Sequence, residues 1–229
     1  MTQKVIFFDI DGTLLSTGGA GQRALALALT DGFQVDFPFE GVLTAGRTDR
    51  GITDEIFERY GLESSDANRR RFRDAYLAHL PEALANAPGR LLPSVRELLD
   101  RLADESHITL SLLTGNYAEG AWIKLRHYQL DHYFQHGGFG DDHAERDDVA
   151  RFALTTASNH AQRQLAGIDT LVIGDTPADI RCARAIDAKA VGVATGCYTA
   201  DELRPHDPDH IFEDFSNTDR TLQRILELL

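Results

Sequence analysis

The feature that most restricts the fold is an alternation of short apolar runs with helical patterns along the second half of the chain. PSVRELLDRLADES has helical spacing and leads into the apolar run HITLSLLTGN; YAEGAWIKLRHYQL is helical again, and HYFQHGGFGDD is a short strand entering a loop. RDDVARFALTTASNHAQ is helical, TLVIGD is a strand, PADIRCARAI is a helix and AKAVGVATG a strand. Strands separated by helices pair in parallel, and the helices cover both faces of the sheet. Pro93 is expected in the first helical turn, where a missing N–H costs least.

A further apolar run, Val5 to Phe8, lies at the N-terminus and belongs to the same sheet. Between it and the alternating half the chain shows helical patterns and no strand. The small-residue loop STGGAGQ precedes a helix over RALALALTDGF; TDRGITDEIFERYGL is a helix stopped by Gly61. SSDANRRRFRDAYLAHLPEAL is another, with Ser64, Ser65 or Asp66 as its cap, and NAPGRLLPS breaks the pattern. The division that follows is an α/β core of residues 1–16 and 89–229, with 17–88 inserted as a smaller all-helical unit.

Composition narrows the function. The 36 acidic against 23 basic residues give a net charge of −13, a field that repels nucleic-acid phosphates. No apolar run reaches the ~20 residues of a membrane span, and the absence of a signal-peptide pattern sets the expectation of a cytoplasmic protein. Cys182 and Cys197 are too few and too isolated for a disulfide framework or a zinc site. His132, His136 and His143 are too irregularly spaced for a transition-metal site and are expected on the surface or in packing.

Ligands of open parallel sheets bind beyond the carboxyl ends of the strands. There the first strand offers Asp9 and Asp11, two apart and so on one side if the strand runs through them. The second offers Thr114, Gly115 and Asn116, and TLVIGD offers Asp175 followed by Thr176 and Asp179. Structural duties compete for some of these. Asn116 suits a helix N-cap with Glu119 three residues on, and Asp179 suits the third position of a helix capped by Thr176. Asp175 has no such duty. Oxygen donors crowded on an acidic edge suit Mg²⁺, and Thr114 beside a helix N-terminus makes an anion seat. A carboxylate between cation and phosphate can act as a nucleophile.

In this order, DIDGTL, LLTGN and GDTPADI resemble the first, second and fourth signature motifs of the haloacid dehalogenase superfamily. The resemblance implies a Rossmann-like core with a helical cap inserted after the first motif. It implies Asp9 as nucleophile and Mg²⁺ ligand, and Asp11 as general acid and base whose backbone carbonyl also binds the metal. Thr114, with Gly115 and Asn116, is implied to hold the phosphoryl group, Asp175 to bind Mg²⁺, and Asp179 to support the metal's waters. The third motif departs from the pattern: FGDDHAERDDVARFAL has neither the usual lysine nor its proline. Arg146 is the candidate replacement and Arg151 its rival; a guanidinium keeps the charge with a different geometry.

Asp11 favours transfer from an alkoxide leaving group over dehalogenation, because an alkoxide benefits from an acid. The expected activity is therefore hydrolysis of a small phosphorylated metabolite, resembling the phosphoglycolate phosphatase group. A phosphomutase shares the same residues, and a non-enzymatic phospho-aspartate receiver module is the alternative from another class. The loop EGVLTAGRTDRGIT resembles the family's specificity loop, in which Arg47 either meets an anionic group of the substrate or is solvated beside a helix cap at Thr48 or Asp49.

Overall fold

The computed structural model describes residues 3–35 and 42–229. Six strands form a fully parallel sheet: β1 (Lys4–Phe8), β4 (Ile108–Leu113), β5 (Gly137–Gly138), β6 (Thr170–Gly174), β7 (Lys189–Val193) and β8 (His210–Phe212). Their order is β5-β4-β1-β6-β7-β8, so β1 is central, in register with Leu110 at Ile6 and with Val172 at Phe7. Such a sheet is buried on both faces, and the run VIFF is apolar on both.

Alternate residues of β1 feed two helical layers. Ile6 and Phe8 pack with Leu98, Leu99 and Leu102 of α4 (Val95–Ala103), Leu125 of α5 (Ala118–His127) and Ile225 of α9 (Thr218–Leu228). Val5 and Phe7 pack with Val149 and Ala153 of α6 (Arg146–His160) and with Ile180 and Ala183 of α7 (Pro177–Ala185). This parity directs the residue after Phe8 toward the α6–α7 layer.

Between β1 and β4 the chain leaves the sheet through β2 (Leu15–Ser16) and returns through β3 (Arg90–Leu91), which pair antiparallel as a two-stranded neck. Helices α1 (Ala20–Phe33), α2 (Asp49–Arg59) and α3 (Asp66–Asn86) lie beyond it around their own apolar cluster of Leu29, Ile56, Phe57, Phe72 and Leu80. Thr48 caps α2 by accepting from the Gly51 N–H, and Ser65 caps α3 by accepting from Asn68.

Several local details differ from the sequence reading. α1 starts at Ala20, inside the small-residue loop, so the connection shortens to Thr17–Gly19, with Gly18 and Gly19 at positive φ. Pro93 precedes the Ser94 N-cap of α4 instead of entering its first turn. The short neck strands and β8 carry no period long enough to be read, whereas α9, with Leu222, Ile225 and Leu226 at helical spacing, has a legible period that the sequence reading passes over. Glu40 and Gly41, at the start of the loop assigned to specificity, lie outside the described residues. Among the described residues no helix is long and apolar enough to cross a membrane.

Candidate active site

β1 ends at Phe8, one residue before Asp9, although the Asp9 N–H still donates to the Ile173 carbonyl at 3.0 Å. Asp9 keeps the parity of Val5 and Phe7 and points its buried carboxylate toward the starts of α6 and α7. There it meets Arg146 Nη2 at 3.0 Å. The same nitrogen bonds Asp179 Oδ1, so one guanidinium corner serves two carboxylates. Arg146 is 5% exposed and its Nε is buried without a hydrogen-bond partner. Arg151, the rival, is exposed on α6 and pairs with Asp148 at 2.6 Å. Of the two, it is Arg146 that reaches the acids.

Asp179 also performs its helix-end duty. Its Oδ2 accepts from the Thr176 N–H at 2.9 Å and from the Thr176 hydroxyl at 2.7 Å. Asp175 is fixed by the Thr13 hydroxyl at 3.0 Å, so the threonine of DIDGTL, to which the sequence reading gives no role, anchors it. Gly12, at φ +88, passes close enough that a Cβ there would lie 2.4 Å from an Asp175 oxygen.

Asp9, Asp175 and Asp179 can each place one oxygen within 4.8 Å of the others. Three carboxylates against one guanidinium leave two negative charges unbalanced when all are ionised, and the donors are all hard oxygens. This set fits Mg²⁺. Burial, moderated by Arg146, pushes Asp9 up to about 7, and burial with Asp179 and Asp9 nearby pushes Asp175 well above the usual carboxylate range. Burial works against the charge on Arg146, but Asp179 and Asp9 more than offset it and keep the guanidinium protonated.

Asp11 takes a different direction. Its backbone forms a bridge with Leu15 as the chain turns at Gly12, and its carboxylate leaves the α6–α7 layer. Oδ2 accepts from Asn116 Nδ2 at 2.8 Å and from Lys124 Nζ at 2.6 Å. The same-side expectation for Asp9 and Asp11 therefore gives way to one shared cavity with separate partners. Asn116 is not the N-cap of α5; Tyr117 is, and Asp141 caps from outside by accepting the Ala118 N–H at 2.7 Å. Asn116 instead donates to Thr114 Oγ1, through Nδ2 at 2.7 Å and its backbone N–H at 3.3 Å. With two donors on its oxygen, the Thr114 hydroxyl has its own hydrogen left to give.

The cavity over these groups measures about 300 Å³, with Asp9, Asp11, Thr114 and Arg146 on its floor, and Gln22, Ile52 and Tyr76 from the inserted helices above together with Arg47 from the loop before α2. The two parts touch closely. A Cβ on Gly115 would stand 2.0 Å from the Arg47 carbonyl oxygen, the Asp49 N–H donates to the Gly115 carbonyl at 2.7 Å, and the Thr48 hydroxyl donates to the Ala144 carbonyl at 2.8 Å. Asp49 Oδ2 accepts the Tyr117 N–H at 2.8 Å, and burial, moderated by Lys124, pushes this carboxyl up to about 6. Arg47 lines the cavity, but its guanidinium pairs with Glu55 and donates to the Leu43 and Gly51 carbonyls at 3.2 Å.

The three histidines stand apart from this site. His132 lies against Tyr133, His143 against Phe152, and His136 bonds Ser111 beside His160. Cys182 is buried and donates to the Arg146 carbonyl, while Cys197 is exposed at the cavity rim.

The chain is similar to known proteins along most of its length. The family model of haloacid dehalogenase-like hydrolases matches residues 6–184. A phosphoglycolate phosphatase of Mannheimia succiniciproducens is 26% identical over 221 residues, covering 93% of this chain and 96% of the relative. The probable phosphatase IndB of Dickeya dadantii is 28% identical over 231 residues, covering 99% and 96%. The crystal structure of a hydrolase from Pseudomonas syringae shares the fold with a TM-score of 0.73 at 22% identity, covering 97% of this chain and 99% of that one.

Proposed function

The chain belongs to the haloacid dehalogenase-like hydrolases and is a phosphatase, and from that premise we propose that it hydrolyses a small phosphorylated metabolite with Mg²⁺ through an aspartyl-phosphate on Asp9. The observation that carries this reading is the convergence of Asp9, Asp175 and Asp179 beside Arg146, with Asp11 and Thr114 facing the same cavity. Residues 17–88 serve as the cap and 1–16 with 89–229 as the catalytic core. Asp9, Asp175 and the Asp11 carbonyl would hold the metal, with Asp179 supporting its waters, and the bound ion would supply charge neutralisation at the acids and at the phosphoryl oxygens.

In the first half of the reaction an Asp9 oxygen attacks phosphorus, and the ester P–O bond breaks as the new Asp9–phosphorus bond forms. Asp11 gives its proton to the departing alkoxide. In the second half Asp11 takes a proton from water as that water attacks the acyl phosphate, which regenerates the Asp9 carboxylate and frees inorganic phosphate. Arg146 holds Asp9 on its attacking line, and the Thr114 hydroxyl donates to the phosphoryl oxygens with support from Gly115 and Asn116.

The cavity favours a small leaving group, because about 300 Å³ must hold the phosphoryl group as well. Short phosphorylated hydroxy acids, the substrate type named for the phosphoglycolate phosphatase relative, satisfy that limit. Arg47 reads a second anionic group, for which the substrate competes with Glu55. A screen of phosphorylated metabolites with and without Mg²⁺, scored for free phosphate, tests the reading. Metal-dependent release from short phosphate esters supports it. An isomerised product without free phosphate replaces it with a mutase.

A further inference from the structure

Lys124 belongs to none of the motifs, yet it is one of three lysines in the chain and its side chain is 5% exposed. A lysine is almost never buried without a partner. Here Nζ donates to Asp11 Oδ2 at 2.6 Å and to Asn116 Oδ1 at 2.5 Å, while Asn116 Nδ2 donates to the same Asp11 oxygen. Lys124, Asn116 and Asp11 close a ring of hydrogen bonds, and Asn116 extends it to Thr114 at the phosphate seat. We propose that Lys124 is a positioning residue for Asp11, clamping Oδ2 so that Oδ1 faces the leaving-group oxygen of the substrate.

The positioning role rests on the proposed acid role of Asp11 and on donor chemistry. An ammonium and an amide NH₂ only donate. Both converge on Oδ2, which leaves no acceptor there for a proton of Asp11, so a proton carried by Asp11 sits on Oδ1. Among the described residues no protein group bonds Oδ1, and Asp11 lines the cavity with its side chain 38% exposed. A half-exposed carboxylate without this anchor samples several rotamers, and acid catalysis needs the proton within hydrogen-bond reach of its target. Arg146, whose charge is spent on Asp9 and Asp179, cannot supply the anchor.

The test compares ethyl phosphate, whose alkoxide leaves poorly, with para-nitrophenyl phosphate, which needs little acid help. Lys124→Met keeps the length of the side chain and removes its charge and donors. It should lower kcat on ethyl phosphate by about 10- to 100-fold, a part of what acid–base catalysis supplies, with KM little changed and a loss at least several-fold smaller on the nitrophenyl ester. Added to Asp11→Asn it should cost less than about twofold more, because it acts through Asp11. Equal losses on the two esters, a change confined to KM, or full additivity with Asp11→Asn would overturn the positioning role. If Asp11→Asn itself loses equally on both esters, the acid role of Asp11 falls and this proposal falls with it. Should Lys124→Met not fold, Lys124→Gln, which keeps a donor and loses the charge, reads the same comparison.

Discussion

Replacing Arg146 with alanine is expected to injure the protein in two measurable ways. The side chain is 5% exposed and is the cation held at 3.0 Å from Asp9, with Asp179 on the same nitrogen. At an effective dielectric of about 20, a pair at that distance interacts by about 5 kcal/mol. Breaking a buried pair by removing one partner typically costs about 3–5 kcal/mol, which agrees in scale. Metal-free Arg146→Ala should therefore melt well below the wild type, and Mg²⁺ should recover part of the difference by taking up the unpaired charge. Turnover measured at saturating Mg²⁺ should still fall about 10²–10³-fold, the loss typical of removing one preorganised donor. Arg146→Lys should recover a fraction, since one ammonium cannot reproduce the corner that serves both acids. Arg151→Ala supplies the control: its exposed pair with Asp148 is worth under about 1 kcal/mol. Phosphate release and thermal melting of the three variants side by side decide the matter. Arg146→Ala with the activity and melting point of Arg151→Ala would remove Arg146 from the site.

Three further perturbations probe the cap and its seam. Gly115→Ala puts a Cβ 2.0 Å from the Arg47 carbonyl, so cap and core must separate by about 1 Å; kcat/KM should fall about 10²-fold, and a fall below threefold would contradict the close seam. Asp49, raised from 3.8 to about 6, favours its protonated form in the folded state, so the stability it contributes is lost as pH rises from about 4 through about 6, by up to about 3 kcal/mol. Asp49→Asn can still accept from Tyr117 and should melt higher than wild type at pH 8 with a flatter profile across that window; an unchanged slope contradicts the assignment. Arg47→Ala should lower kcat/KM for phosphate esters carrying a second anionic group more than for neutral ones, and an unchanged ratio would leave Arg47 as the partner of Glu55 only.

The sheet is legible because its strands are apolar on both faces and end abruptly in acids or Thr-Gly, at Asp9, Thr114 and Asp175. That pattern also indicates which groups meet, since parallel strands deliver their ends to one edge. What stayed hidden depends on turns and long-range pairing. Nothing near Lys124 marks it as buried, because a lysine at one position of a helix is equally at home in solvent; only the return of α5 past the end of β1 brings it to Asp11. Asp9 and Asp11 read as one pair because strand parity was extended past Phe8, where the Gly12 turn breaks it. Arg47 reads as free because Glu55 is eight residues away, across the helix start at Thr48. Asn116 reads as a cap because its spacing to Glu119 fits one, while in the fold its side chain turns to Thr114 and Asp11.

In the proposed reaction phosphorus passes through Asp9. Enzyme turning over substrate with Mg²⁺ can be quenched, reduced with borohydride and mapped by peptide mass spectrometry, since an acyl phosphate is reduced to the alcohol and a free carboxylate is not. Passage through Asp9 predicts homoserine at position 9 and nowhere else, only when substrate is present, and none in Asp9→Asn, whose turnover should be lower by several orders of magnitude. Reduction at another carboxylate, or near-normal turnover by pure Asp9→Asn, would contradict it.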